Sequence, residues 1–363
     1  MAKAKAVAEM LDDDTTKEII KKYGHVVRSG TEVFEERSNL QIIPVSPALD
    51  LALGGGIQEG GWVTFTGDPK SGKTTTALQF AATCQQEKYG SKPIIYLDAE
   101  GRLKSINLTG IDGLDIEKMK IVGTVDEPMS AEQFLNIAEF YIKNTPGCVL
   151  IVDSISSLIP EKELIDDVNA QYRPSLPKLL KNWCKKLGGI VPRQKAIVIM
   201  ITHLIANTSG FGKSKVADGG RGIQYQTDNI LEIQYIKPWV SGGKQIGQMI
   251  HWKVKTSAAG GFPGSEAQGW LKYGLGIDKT QELFIMAVDL DLIAKAGAWY
   301  TCNYLLEDSN RVKDLLTAND IDTEDEKAVK SFFQFQGQDK VAAFLSSNPV
   351  TLEILEEEIK SML

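Results

Sequence analysis

The chain has 363 residues, 43% hydrophobic and 24% charged, the balance of a soluble globular protein with two or three domains or one large α/β domain with attachments. No apolar run approaches the roughly 20 residues that span a bilayer, no apolar stretch of signal-peptide length follows the N-terminal residues, and the four cysteines (Cys84, Cys148, Cys184, Cys302) are widely spaced with no C-x-x-C pair, so a membrane span, export, a disulfide framework and a zinc site are all disfavoured and a cytoplasmic location is expected. The net charge of −7 argues mildly against a nucleic-acid binder, although a local basic or amide-lined surface binds phosphates on an acidic protein.

Residues 1–35 read as an N-terminal oligomerisation arm. A helix is expected over 15–22, capped by Thr15 or Thr16, with Lys21 and Lys22 in its last turn where cations suit the dipole. It ends at Gly24, and 25–28 reads as a strand. From 36 to about 280 apolar strands (61–66, 93–97, 148–152, 196–202, 226–236, 247–254) alternate with helices (71–84, 130–143, 179–187). This rhythm predicts an α/β fold with a mostly parallel central sheet covered on both faces. The runs 149–152 and 197–201 are continuously apolar, as strands buried on both faces must be. From 281 to 363 the pattern changes to a small helical domain. Within it the acidic, polar stretch 308–326 reads as an inserted loop, part of an inserted segment of about 305–334, and 337–345 and 350–363 read as helices.

The strongest motif is Gly67-Asp68-Pro69-Lys70-Ser71-Gly72-Lys73-Thr74, which satisfies G-x-x-x-x-G-K-[ST] between a strand and a helix. The glycines let backbone amides wrap phosphates, and the helix N-terminus adds partial positive charge. Lys73 would reach the β- and γ-phosphates of ATP, with Thr75 just inside the helix, and the Thr74 hydroxyl would hold Mg²⁺. A second acid for the metal, acting through water, is Asp153 at the end of an apolar strand. Another strand ends in Asp98-Ala99-Glu100, where Glu100 is the candidate general base and Asp98 its competitor. A third ends in Thr202-His203, where His203 is placed to touch the γ-phosphate. It leads into 204–222, rich in Gly, Ser and Lys, too long for a plain connection. Asn207, Phe211, Lys213, Lys215, Gly219, Gly220 and Arg221 on it suit a nucleic-acid backbone.

Together these residues resemble the RecA/UvsX recombinase family. The resemblance runs over nearly the whole chain: the segment 34–56, Leu97-Asp98-Ala99-Glu100, Val152-Asp153-Ser154, an ungapped stretch from Pro160 to His203, Ala294-Lys295-Ala296-Gly297-Ala298-Trp299-Tyr300, and 337–349. It implies a RecA-like P-loop core with Glu100 as general base and His203 in the place of a γ-phosphate-sensing Gln, as in phage-type members. It also implies a first DNA loop at 166–173 ending in Arg173, and a second at 207–220. Lys178 and Lys185 stand at basic DNA contacts, and Tyr225 at an aromatic passing nucleotide state across a subunit interface. A Lys-x-Lys pair acting on a neighbour's γ-phosphate is filled by Lys253 and Lys255, or by Lys255 with Ser257 in the second place. Arg173 replaces an apolar residue, and the inserted segment leans towards a phage or divergent form.

The function implied is an ATP- and Mg²⁺-dependent recombinase. It forms a helical homopolymer on single-stranded DNA and exchanges strands with duplex DNA, served by a single-strand-binding protein and a loading mediator, with no membrane partner. The competing classes are a ring-forming DNA helicase and a nucleotide-dependent scaffold or mediator. DNA-stimulated ATP hydrolysis separates the scaffold from both DNA motors.

Overall fold

The computed structural model describes residues 13–124, 126–165, 175–207, 215–218, 220–258 and 260–362. The chain divides into two compact units, Met1–Ile42 and Ile43–Leu363. In the first unit the expected helix is Asp14–Tyr23, but its cap is the Asp13 carboxylate, which accepts from the Thr16 amide at 2.9 Å, rather than a threonine hydroxyl. Residues 25–28 are not a strand. They lead into a second helix, Gly30–Ser38, held at its start by a capping box in which Ser29 Oγ accepts from the Glu32 amide (3.1 Å) and Glu32 Oε2 from the Ser29 amide (2.9 Å).

In the second unit, β1 (Trp62–Gly67), β2 (Ile94–Asp98), β3 (Met119–Gly123), β4 (Val149–Asp153), β5 (Ile197–Ala206), β6 (Lys215–Ala217), β7 (Asn229–Ser241), β8 (Lys244–Thr256), β9 (Glu266–Lys272) and β10 (Gly276–Ile277) form one sheet among the described residues. Its order is β10-β9-β8-β7-β1-β5-β4-β2-β3, with β6 paired to β5. Strands β7, β1, β5, β4, β2 and β3 run parallel, and β8, β9 and β10 add antiparallel to one edge. The sheet is therefore mixed, with the expected parallel part running from β7 to the β3 edge. The buried side chains sort by alternation. Ile94, Tyr96, Ile151 and Ile199 face one cluster with the helix Lys73–Cys84; Ile95, Leu97, Leu150 and Met200 face another with the helices Ala131–Asn144 and Leu176–Leu187. Each fully buried aliphatic side chain contributes about 1.5–3 kcal/mol.

The C-terminal part has its own apolar cluster and a small antiparallel sheet, β11 (Ile293–Ala296), β12 (Trp299–Cys302) and β13 (Gln334–Gln336), which a helices-only reading lacks. The segment of about 305–334, which includes the stretch read as a loop, carries the helices Ser309–Val312, Lys313–Ala318 and Glu326–Phe332. Its apolar residues are few, but Val312 and Leu316, and Val329 and Phe333, sit one helical turn apart and are buried in that cluster. Among the described residues no helix is long and apolar enough to cross a membrane.

The buried Glu282 fastens the helix Lys279–Asp289 to the Pro47–Leu53 helix, and Asp50 ties the start of the latter helix to the segment before it. Glu282 Oε2 accepts from the Ala48 amide at 3.2 Å, and Asp50 Oδ1 from the Val45 amide at 2.7 Å. Burial pushes the Glu282 carboxyl up to about 8 and that of Asp50 up to about 7, against the smaller pull of those amides. An acid raised on folding binds more protons folded than unfolded. Its stabilisation is therefore complete below the unfolded value and is lost as pH rises towards 8. Glu282→Gln is thus expected to match the unaltered chain near pH 4 and to exceed it near pH 9, by on the order of several kcal/mol. Melting temperatures across that range check this, and an unchanged difference between the two pH values would refute it.

Candidate functional site

The site lies where the parallel strands end. Gly67 pairs with His203 across β1 and β5, and Asp98 with Asp153 across β2 and β4, so four strand tips deliver their residues to one edge. Gly67 has to be glycine because a Cβ there would lie 2.2 Å from the Ile233 carbonyl oxygen. Gly72 sits at φ +100°, and a Cβ there would lie 2.6 Å from Leu271 Cδ1. The loop between them delivers the chain into the helix Lys73–Cys84, whose first amides have no intrahelical partners.

Pro69, Lys70, Ser71, Gly72, Lys73, Thr74 and Thr75 line a cavity of about 920 Å³ together with Glu100, Asp153 and His203. That volume suits a nucleotide. The chain offers a fit on its own terms. Among the described residues Ser71 Oγ is buried without a protein partner, which marks a place for an acceptor or donor from outside the chain. Lys73, only 5% exposed, folds back to donate to the carbonyls of Gly67 (3.0 Å) and Asp68 (2.8 Å). Burial lowers the pKa of its ammonium, partly offset by the charges of Asp153, Glu100 and Asp68.

Thr74 Oγ1 donates to Asp153 Oδ2 at 2.6 Å, and the Tyr96 hydroxyl donates to the same oxygen at 2.7 Å. Burial raises the Asp153 carboxyl, and these two donors offset it in part. A hydroxyl and a carboxylate side by side at a phosphate cradle are the hard oxygen donors that Mg²⁺ takes. Glu100 Oε1 accepts from Ser154 Oγ (2.9 Å) and lies 2.6 Å from His203 Nε2. Burial raises the Glu100 carboxyl, but the His203 and Ser154 hydrogen bonds and the His203 and Arg102 charges together hold it below the usual range. Asp98 is otherwise engaged: its oxygens accept from the amides of Arg102 and Leu103, each at 3.2 Å.

Other expected residues lie elsewhere. Lys253 pairs with Glu266, and Lys255 Nζ lies 2.7 Å from Glu232 Oε2; neither lysine lines the cavity of its own chain. Lys178 and Lys185 are exposed on the helix Leu176–Leu187. Lys215 Nζ lies 2.6 and 2.8 Å from the two carboxylate oxygens of Asp68, so a lysine from the second loop rests on the phosphate loop. Gly220 precedes the short helix Arg221–Gln224, Asn207 is half-buried, and Tyr225 is 85% exposed. Arg173, Phe211, Lys213 and Gly219 lie outside the described residues. The cavity wall also holds Arg102, Lys104, Gln248 and Tyr273, which sequence reasoning missed. Gln248 Nε2 donates to the Lys70 carbonyl at 3.2 Å from the middle of β8, where nothing in the local pattern marks it. Tyr273 had a weak signal, an aromatic beside a glycine just after a strand.

A sequence profile described as the RecA N-terminal domain matches residues 10–278. Protein RecA of Clostridioides difficile is 29% identical over 315 residues, covering 85% of this chain and 86% of that protein. Protein RecA of Lactobacillus johnsonii is 32% identical over 80% of this chain and 78% of its own length. Protein RecA of Listeria innocua is 28% identical over 95% of this chain and 98% of its own.

Proposed function

The chain belongs to the RecA family of P-loop ATPases, and on that premise we propose that it is a cytoplasmic, ATP-dependent DNA recombinase that polymerises on single-stranded DNA and exchanges strands with a homologous duplex. The observation that carries this reading is the contact of His203 with Glu100. His203 stands on β5, which leaves the nucleotide cavity and continues through Leu204, Ile205 and Ala206 into the second loop. One strand thus touches the candidate base at one point and leads to the candidate DNA loop four residues later, a direct path for coupling nucleotide state to DNA binding.

In this reading the loop amides and Lys73 hold the β- and γ-phosphates. Thr74, and Asp153 through water, would hold Mg²⁺, which would supply charge neutralisation on the phosphates. Tyr273 offers an aromatic face to the purine. Glu100 orients water and takes its proton. Lys253 and Lys255, outside their own cavity, suit a neighbouring chain's nucleotide. Polymerisation is supported by β3, an open sheet edge on which Ile121 is 47% exposed. It is supported too by an arm, 1–35, with Tyr23, Val26 and Phe34 exposed. We divide the rest into a core, 36–280, and a C-terminal domain, 281–363.

Lys215 is proposed as a phosphate contact, for which the Asp68 carboxylate stands in when DNA is absent. Lys215→Gln should weaken single-stranded DNA binding about equally across sequences and reduce the slope of log affinity against log salt by about one. Fluorescence anisotropy at several salt concentrations measures it, and an unchanged slope removes Lys215 from the interface. The reading as a whole is tested by strand exchange between homologous single-stranded and duplex DNA. Exchange that requires ATP is expected. Its absence with a single-strand-binding protein supplied, together with an ATPase indifferent to DNA, would leave a scaffold instead.

A further inference from the structure

Tyr96 stands in the middle of β2, 1% exposed, with its ring in the apolar cluster beside the helix Lys73–Cys84. Strands β2 and β4 pair in register, Tyr96 against Ile151 and Asp98 against Asp153. Side chains two apart share a face, so Tyr96 and Asp153 lie on the same side of the sheet. The neighbouring position on that face of β2, Ile94, is apolar, and a phenylalanine at 96 would fill the cluster as well. A buried phenol instead needs a partner, and it has one: Asp153 Oδ2, at 2.7 Å. The same oxygen takes the Thr74 hydroxyl at 2.6 Å.

We propose that Tyr96 is a positioning residue for Mg²⁺-nucleotide binding, setting the rotation of the Asp153 carboxylate. With two donors converging on Oδ2 from the phosphate-loop helix and from the adjacent strand, the carboxyl group is held from two directions. Thr74 alone leaves it free to turn about its terminal bond; the phenol removes that freedom and keeps Oδ1 for the water shell of the metal. Tyr96 touches neither phosphate nor metal in this scheme and acts only through Asp153. The proposal rests on the nucleotide reading above.

The test is Tyr96→Phe in the full chain, with ADP binding followed by calorimetry in EDTA and at increasing Mg²⁺. The ring stays in place, so ADP affinity in EDTA is expected to be unchanged, while the half-saturating Mg²⁺ concentration rises about tenfold, as for the loss of an outer-shell partner of a metal ligand. Ile94→Val, in the same cluster, serves as the packing control. It should lower the melting temperature and leave the Mg²⁺ requirement where it was. An unchanged Mg²⁺ requirement in Tyr96→Phe overturns the proposal, as does an equal loss of ADP affinity with and without Mg²⁺, which would make the phenol a packing residue. Failure of the unaltered chain to bind ADP under any condition overturns the nucleotide reading, and this proposal with it.

Discussion

Glu100→Gln is expected to lower the rate of DNA-stimulated ATP hydrolysis by about 10²–10⁴ while leaving ATP binding nearly intact. The amide keeps the size and the hydrogen-bonding reach of the carboxylate but cannot take a proton from water. Ser154 can still donate to the side-chain oxygen, so the site should hold its shape. The pH dependence gives a second check. In the unaltered chain His203 and Ser154 hold the Glu100 carboxyl below the usual carboxylate range. It is therefore ionised throughout the neutral range, and activity due to it falls only as the pH drops into the acid range. Glu100→Gln should lose that acid limb along with the rate, whereas His203→Ala, which removes a donor to the carboxylate, should move the limb to higher pH. Steady-state hydrolysis from pH 5 to 9, with nucleotide binding measured alongside, distinguishes these outcomes. If Asp98→Asn abolished turnover and Glu100→Gln did not, the base would be Asp98. The engagement of both Asp98 oxygens with the amides of Arg102 and Leu103 argues for Glu100.

Lys73→Ala should abolish strand exchange and lower hydrolysis by about 10²–10³, the cost of losing one charge that stabilises the transferring phosphate. The ammonium is almost fully buried and bound to the Gly67 and Asp68 carbonyls. Both contacts are exchangeable for phosphate oxygens, since burial already lowers the lysine's pKa and a polyanion in the cavity would favour its charged form. The alanine variant leaves two carbonyls without that partner, which costs about 1–2 kcal/mol of stability and not the fold. Exchange and hydrolysis should fall together. A variant that hydrolyses normally would place the engine outside the phosphate loop.

Much of the candidate site is legible in short windows of sequence. A phosphate loop needs glycines at two fixed places and a lysine at a third, all within eight residues, and the carboxylates Asp153 and Glu100 announce themselves as polar residues ending apolar runs. The capping box at Ser29 and Glu32 is equally local, but it directly follows the β-branched pair Val26-Val27, whose extended character masks the start of the helix. The C-terminal segment misled for another reason. Its buried residues come in pairs one helical turn apart, among so many charges that the average polarity of the stretch resembles a loop.

What the sequence by itself determined is thus the class of fold, the phosphate loop and the strand-end acids, since each depends on backbone periodicity or on steric demands within a short window. The tertiary structure alone decided that His203 meets Glu100 across 103 positions, that Tyr96 donates to Asp153 across 57, that Lys215 rests on Asp68, and that Lys253 and Lys255 stand away from their own cavity. Those contacts follow from the order in which parallel strands lie side by side. That order is set by packing the whole sheet between its two layers of helices, so no local stretch of residues carries it.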